Sequence, residues 1–170
     1  MNLSFFKTII WLLAVSILVI ILQHTVFSLR FFDNIKPELF TLIVIHYSFY
    51  EKDKTKGYFL SSFVGFIEDI LTNQIFGVNI FIKSLIFILI YFIKEKIFFK
   101  NLILKSALAV VINIFEIFLI YLISLIFHLS FVNPLSENSF SYITLYIIVA
   151  PIFLFFLEKI KSFYLETDES

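Results

Sequence analysis

The sequence contains no cysteine, only three glycines and three prolines, and few charged residues. The absence of cysteine excludes disulfide bonds, thiolate catalysis and cysteine-ligated metal sites. Charged residues make up 15% of the chain, and their signs balance at 13 basic against 13 acidic. Without a net charge the chain has no overall field that attracts nucleic acid, and we predict no nucleic-acid partner.

Apolar side chains dominate instead. Hydrophobic residues account for 61% of the 170 residues, 25 residues are phenylalanine, and the mean hydropathy is +1.01. A soluble domain is about 45–50% apolar, and a core of this size cannot hide the excess. Disorder is excluded too, because it requires low hydrophobicity. The composition predicts an integral membrane protein in contact with the lipid bilayer. Its apolar stretches lack the alternation of apolar and polar residues that the strands of a membrane β-barrel need.

Six apolar stretches approach the roughly 20 residues with which a helix crosses a bilayer. They predict an all-α integral membrane protein, a compact bundle forming one transmembrane domain over residues 1–170. The first stretch is interpreted as an uncleaved span, since it is longer than the apolar core of a signal peptide and is not followed by a cleavage site. The second to fourth are short, so four or five spans with one re-entrant segment is the main alternative. The predicted spans cover residues 8–29, 38–50, 57–71, 78–93, 106–127 and 140–157.

The basic residues predict the orientation, since they are enriched in cytoplasmic loops. With the N-terminus inside, only Arg30 and Lys36 fall outside, and Lys83 lies within a span. Both termini are therefore predicted to be cytoplasmic. The ten basic residues on the cytoplasmic side are Lys7, Lys52, Lys54, Lys56, Lys94, Lys96, Lys100, Lys105, Lys159 and Lys161.

Ionisable residues at membrane depth indicate function or packing, because each costs about 2.5–3.5 kcal/mol at a helix centre. Glu68 or Asp69 matches Lys83 in depth, and a buried carboxylate is far less costly beside an ammonium. We predict that such a pair, together with Asn79 one turn before Lys83, holds spans three and four together. The candidate polar residues at depth are His46, Glu68, Asp69, Asn79, Lys83, Asn113 and Glu116.

The other polar residues at depth favour packing roles over chemistry. For Glu116, with Asn113 one turn before it, we favour interhelical hydrogen bonding over a proton relay. We interpret His46 as a packed polar residue, because three scattered histidines without an HExxH motif are weak support for a metal. No catalytic constellation is present, and we predict a protein that is not an enzyme and has no metal or cofactor site.

Span three carries a stripe of small residues. Gly57, Ser61, Gly65 and Asp69 are spaced by four and share one helix face. Small residues at this spacing let another backbone approach closely. The stripe, with Gly77 in the following turn, predicts a face for helix packing or for a partner protein.

The order of the scarce residues resembles a known family. Gln23 lies in the first span, Pro37 and Glu38 open span two, and Gly57 begins span three. Then come the stretch Gly65-Phe66-Ile67-Glu68-Asp69, the turn Phe76-Gly77-Val78, and a last span containing Pro151. Over nearly the whole chain this arrangement is similar to the bacterial rod shape-determining MreD proteins. Glu68 is a departure, since it puts a second acid beside the expected aspartate.

The resemblance implies a non-catalytic, multi-pass protein of the bacterial inner membrane that helps to organise lateral peptidoglycan synthesis and maintain cell shape. The partners it implies are those of the rod complex, or elongasome: the periplasmic scaffold MreC, the filament MreB, RodA and a penicillin-binding transpeptidase. Short loops fit this expectation, because partners must then be met mainly through helices.

The alternative is a transporter component. The span architecture is also similar to the substrate-binding membrane subunits of energy-coupling-factor vitamin transporters. Those subunits often dock through small residues spaced by four on the first helix. Here Ala14 has bulky neighbours at Ile10 and Leu18, which counts against that function.

Overall fold

The structure, a computed structural model, describes residue 10 and residues 13–22, 38–72, 76–96, 101–127 and 139–166. Within these ranges the chain forms six helices and no strand, which confirms the predicted all-α class. Each helix overlaps one predicted span. The helices are α1 (Leu13–Leu22), α2 (Leu39–Tyr50), α3 (Lys54–Thr72), α4 (Val78–Lys96), α5 (Leu102–Ile126) and α6 (Ser139–Glu166).

The short helix α2 lies at the centre of the bundle. It contacts α3, α4, α5 and α6. Most of its 12 residues are apolar, its few polar residues form no distinct face, and nine are buried, including every residue from Leu39 through His46. At about 1.5 Å per residue it is some 18 Å long, which is less than the roughly 30 Å of a bilayer core. Its place inside the protein explains why it has no polar face.

Two hairpins pack around α2. The first is α3 with α4, which share the most extensive helix–helix contact, and the second is α5 with α6. α6 continues through Pro151, which lies in the helix interior. Proline within a helix is tolerated in membrane proteins, where neighbouring groups satisfy the freed carbonyl.

Many large apolar side chains are exposed, while several charged and polar side chains are buried within the hydrophobic core. Along the outward face of α5, Val111 is 61% exposed, Ile114 48% and Phe118 55%. The buried residues meanwhile include Lys83, Glu68 and Glu116. In water this arrangement would be unfavourable on both counts. It suits a surrounding that is itself apolar.

Two helices in the described ranges have the length and composition to cross a membrane, Leu102–Ile126 and Ile143–Ile160. The other four are shorter or carry more charge. α2 has only 12 residues, and α4 contains Lys83 together with lysines at its C-terminal end. The helix criterion therefore supports membrane insertion through α5 and α6.

Candidate functional site

Lys83 lies at the centre of a buried ionic cluster. Its side chain on α4 is completely buried, and its Nζ lies 3.0 Å from Glu68 Oε2 on α3. The same ammonium donates to Thr41 Oγ1 on α2 at 2.7 Å and to Glu116 Oε1 on α5. One side chain thus links four helices. We call Lys83, Glu68, Glu116, Thr41 and Glu38 the buried ionic cluster.

Thr41 and Glu38 complete the buried ionic cluster from α2. Thr41 accepts a hydrogen bond from Lys83 and donates one to Glu116 Oε2, so its hydroxyl bridges the ion pair. Glu38 occupies the N-cap position of α2 without capping it through its side chain. Its carboxyl group instead interacts electrostatically with those of Glu68 and Glu116. Nothing in the sequence distinguishes Thr41, since a lone threonine in an apolar span has no characteristic spacing.

The ion pairs and hydrogen bonds of the buried ionic cluster connect helices to one another. A charge moved from water into an apolar interior is costly unless it is paired and hydrogen-bonded. Here the ammonium of Lys83 contacts two carboxylates and a hydroxyl. Removing any one member leaves the others with unmatched charge or hydrogen-bonding capacity, which ties the positions of α2, α3, α4 and α5 to one another.

Asp69 binds the start of α4 and does not pair with Lys83. Its Oδ2 accepts hydrogen bonds from the backbone N–H of Gly77 at 2.9 Å and Ile80 at 3.3 Å, and its Oδ1 accepts one from Asn79 at 3.0 Å. A carboxylate at a helix N-terminus satisfies unpaired N–H groups and the helix dipole. Of the two acids predicted as partners of Lys83, the structure assigns Glu68 to it.

The division of roles follows from helix geometry. Neighbouring residues on a helix point about 100° apart, so Glu68 and Asp69 face different surroundings. Asn79, predicted to assist the ion pair, contributes its backbone N–H to Asp69. Its side-chain Nδ2 is buried and has no hydrogen-bond partner among the described residues.

We expect Asp69→Ala to lower the free energy of unfolding by about 2 kcal/mol, because three N–H groups at the start of α4 lose their acceptor. Asp69→Asn keeps an acceptor oxygen and should cost less than half as much. Reversible unfolding in neutral detergent, followed by circular dichroism, measures both. Asp53→Ala is the matched control: Asp53 accepts from Thr55 and Lys56 at the exposed start of α3. A loss at Asp53 as large as at Asp69 would contradict the assignment.

The small-residue stripe of α3 packs against α4 in the same chain. A methyl group on Gly65 would lie 2.5 Å from the carbonyl oxygen of Asn79, and one on Gly57 would lie 2.1 Å from the ring of Phe87. Ser61 is buried as well, and its hydroxyl donates to the Tyr58 carbonyl at 2.9 Å. The stripe is therefore buried within the bundle, with its two glycines against α4, and a partner protein cannot reach those glycines without separating the hairpin.

Gly77 serves the turn before α4. Its φ is +100°, a backbone conformation that side chains disfavour, and a methyl group there would meet no atom within 4 Å. The requirement for glycine at this position is conformational. It places the Gly77 N–H on the Asp69 carboxylate.

The remaining predicted residues are His46 on α2, Asn113 on α5 and Pro37. His46 is buried, with its ring 4.8 Å from that of Tyr50. Asn113 is buried one turn before Glu116 on α5. Pro37 lies outside the described residues. Within the described ranges there is no group of three histidine or acidic residues that could hold a metal ion.

A second polar group, which the sequence did not reveal, joins α2, α5 and α6 at their predicted cytoplasmic ends. Lys105 Nζ lies 2.6 Å from Glu158 Oε1 and 3.0 Å from the Tyr50 hydroxyl, which itself donates to Glu158 at 2.8 Å. We call Tyr50, Lys105 and Glu158 the inner-end triad. In the sequence, Lys105 is only one of the ten basic residues that predict the cytoplasmic side of the membrane.

Lys94 caps the end of α2 nearby. Its Nζ donates to the backbone carbonyls of Ser48, at 2.6 Å, and Glu51. A cation is favourable at the C-terminal end of a helix, where carbonyl groups lack intrahelical partners. Partial burial lowers the pKa of Lys94, and the nearby carboxylates Glu51 and Glu95 oppose that shift.

We expect Glu158→Gln and Lys105→Met each to lower the free energy of unfolding by less than about 1 kcal/mol, because the inner-end triad is partly exposed and screened. The double variant should lose less than the sum of the two single losses, since both remove the same ion pair. Thermal unfolding of the four proteins in one detergent measures this. Strict additivity would show that Lys105 and Glu158 act independently.

Apolar exposed faces and two helices long and apolar enough to cross a membrane fit one class of protein, the helical membrane bundle. Residues 5–163 match the family model described as rod shape-determining protein MreD. The chain belongs to this family of bacterial membrane proteins, which confirms the resemblance seen in its sequence and associates it with rod-shape determination. No curated protein and no solved structure shows significant similarity to the chain.

Proposed function

We propose that the chain is a non-catalytic scaffold of the bacterial rod complex that organises lateral peptidoglycan synthesis through helix–helix contacts. The match to the MreD family over residues 5–163 is the observation that carries this proposal. The buried ionic cluster supports it, because its buried charged groups contact one another and so link α2, α3, α4 and α5. A scaffold needs such a fixed arrangement of its outer faces.

The proposed partners are an MreC-like periplasmic scaffold, an MreB-like filament, RodA and a penicillin-binding transpeptidase, bound directly or through one another. Since α4 covers the two glycines of the small-residue stripe of α3, these partners would meet other faces of the bundle. The outward face of α5 is the broadest candidate, with Val111, Ile114 and Phe118 exposed. The energy-coupling-factor alternative receives no support from the family match.

Depletion of the protein in its own bacterium tests the proposal. Cells should become rounder, and newly inserted wall material, labelled with a fluorescent D-amino acid, should lose its lateral pattern. Expression of the unaltered chain should restore both. Normal shape and labelling after depletion would reject the scaffold function, and lost vitamin uptake with normal shape would favour the transporter.

The proposed placement is multi-pass in the bacterial inner membrane, with six spans and both termini in the cytoplasm. Because the chain has no cysteine, single introduced cysteines report their side of the membrane without a background signal. Asn101→Cys, between α4 and α5, should resist a membrane-impermeant maleimide in intact cells and react after permeabilisation. Ser136→Cys, in the loop predicted to be outside, should react in both. The reverse pattern would overturn the placement.

A further inference from the structure

An exposed aromatic ring flanked by two lysines lies at the predicted cytoplasmic end of the α3–α4 hairpin. Lys54, the first residue of α3, holds its Nζ 4.8 Å from the centroid of the Phe92 ring on α4. Lys96 follows Phe92 by one helical turn and therefore lies on the same side of α4. Phe92 is 51% exposed, and both lysines are exposed.

Three acids lie at this end of the hairpin: Glu51, Asp53 and Glu95, the last exposed and next to Lys96 on α4. Glu51 accepts a hydrogen bond from Tyr47 and lies 3.9 Å from Lys56, and Asp53 accepts the N–H groups at the start of α3. Neither Lys54 nor Lys96 forms an ion pair within the described ranges. The ring is therefore flanked by two ammonium groups, and neither is held in an ion pair by a carboxylate of the described chain.

We propose that Lys54, Phe92 and Lys96 form a binding site for the phosphate headgroup of an anionic phospholipid of the cytoplasmic leaflet. The inference rests on the membrane placement proposed above. Two ammonium groups complement a phosphate, and each lysine near an anionic membrane surface contributes about 1 kcal/mol of attraction. The exposed ring of Phe92 offers the first acyl carbons an apolar contact beside the ammonium of Lys54.

Titration of the full chain in neutral detergent with phosphatidylglycerol or phosphatidylcholine, monitored by native mass spectrometry, tests the site. Phosphatidylglycerol should bind more tightly than phosphatidylcholine. Lys54→Gln should weaken phosphatidylglycerol binding about five-fold, and Lys54→Arg should preserve it. Lys159→Gln is the matched control, because Lys159 is also exposed and lies 5.9 Å from a phenylalanine ring, that of Phe155. It should leave the affinity unchanged.

Three results would overturn the site. Equal losses of phosphatidylglycerol affinity from Lys54→Gln and Lys159→Gln would show that the lipid is attracted by the overall surface charge and not by this site. Equal binding of the two lipids would show that the headgroup charge is not recognised. Competition by soluble glycerol phosphate at the lipid's own concentration would identify a soluble phosphate ligand instead. The maleimide pattern above, measured on the same variants, separates a failure of this site from a failure of the membrane placement.

Discussion

Lys83→Met should lower the free energy of unfolding by about 3–5 kcal/mol, the usual cost of removing one partner from a buried ion pair. Methionine fills a similar volume, so the loss reports charge and hydrogen bonding more than packing. The ammonium it removes contacts Glu68 at 3.0 Å, Glu116, and Thr41 at 2.7 Å. Two carboxyl groups would then face each other inside an apolar bundle.

Neutralising those carboxyl groups should reverse much of the loss. We expect Lys83→Met combined with Glu68→Gln and Glu116→Gln to recover more than half of it, because no unmatched charge remains in the buried ionic cluster. Adding Asp69→Asn to Lys83→Met should give no recovery, since Asp69 faces the N–H groups of α4. Recovery through Asp69 and none through Glu68 would reverse the assignment.

Reversible unfolding in neutral mixed micelles, with membrane yield as a second readout, measures these variants. Lys96→Met is the matched control, because it makes the same substitution at an exposed lysine of the same helix. It should change the free energy of unfolding by no more than about 0.5 kcal/mol. A Lys83→Met loss within that range would show that the buried ionic cluster contributes nothing to stability.

Gly65→Ala should cost about 3 kcal/mol, near the upper end of overpacking losses. The added methyl group would lie 2.5 Å from the carbonyl oxygen of Asn79 and 2.7 Å from the Cα of Ile80. Both are backbone atoms of the first turn of α4. That turn is held by the hydrogen bonds of Asn79 and Ile80 to Asp69, so relief requires α3 and α4 to separate.

Gly57→Ala provides the internal comparison for Gly65→Ala. At Gly57 the added methyl group would meet the tip of the Phe87 ring at 2.1 Å, which is a side chain. We expect Phe87→Leu to recover most of the loss caused by Gly57→Ala. No side-chain truncation should recover Gly65→Ala. The same micelle assay distinguishes the cases, and rescue of Gly65→Ala by truncating a neighbour would contradict the backbone contact.

The site shows which residues spacing identifies and which it misses. The sequence alone identifies Lys83, Glu68, Asp69 and Glu116, because ionisable residues are rare and costly in apolar spans. It does not identify Thr41, because a threonine in such a span costs little. The inner-end triad of Tyr50, Lys105 and Glu158 is missed because its members are far apart in the sequence and each resembles an ordinary interfacial residue.

The sequence by itself determined the all-helical class, the positions of the six helices and the family, since apolar run length and the order of scarce residues are local properties of the chain. The tertiary structure decided how the polar residues are used. Glu68 and Asp69 are adjacent, and only the rotation of α3 against α4 sends one to Lys83 and the other to the start of α4. Likewise, only the packing of the hairpin buries the glycine stripe against α4 and leaves the outer helix faces for other contacts. Such rotations depend on contacts between residues distant in the chain, which no local spacing records.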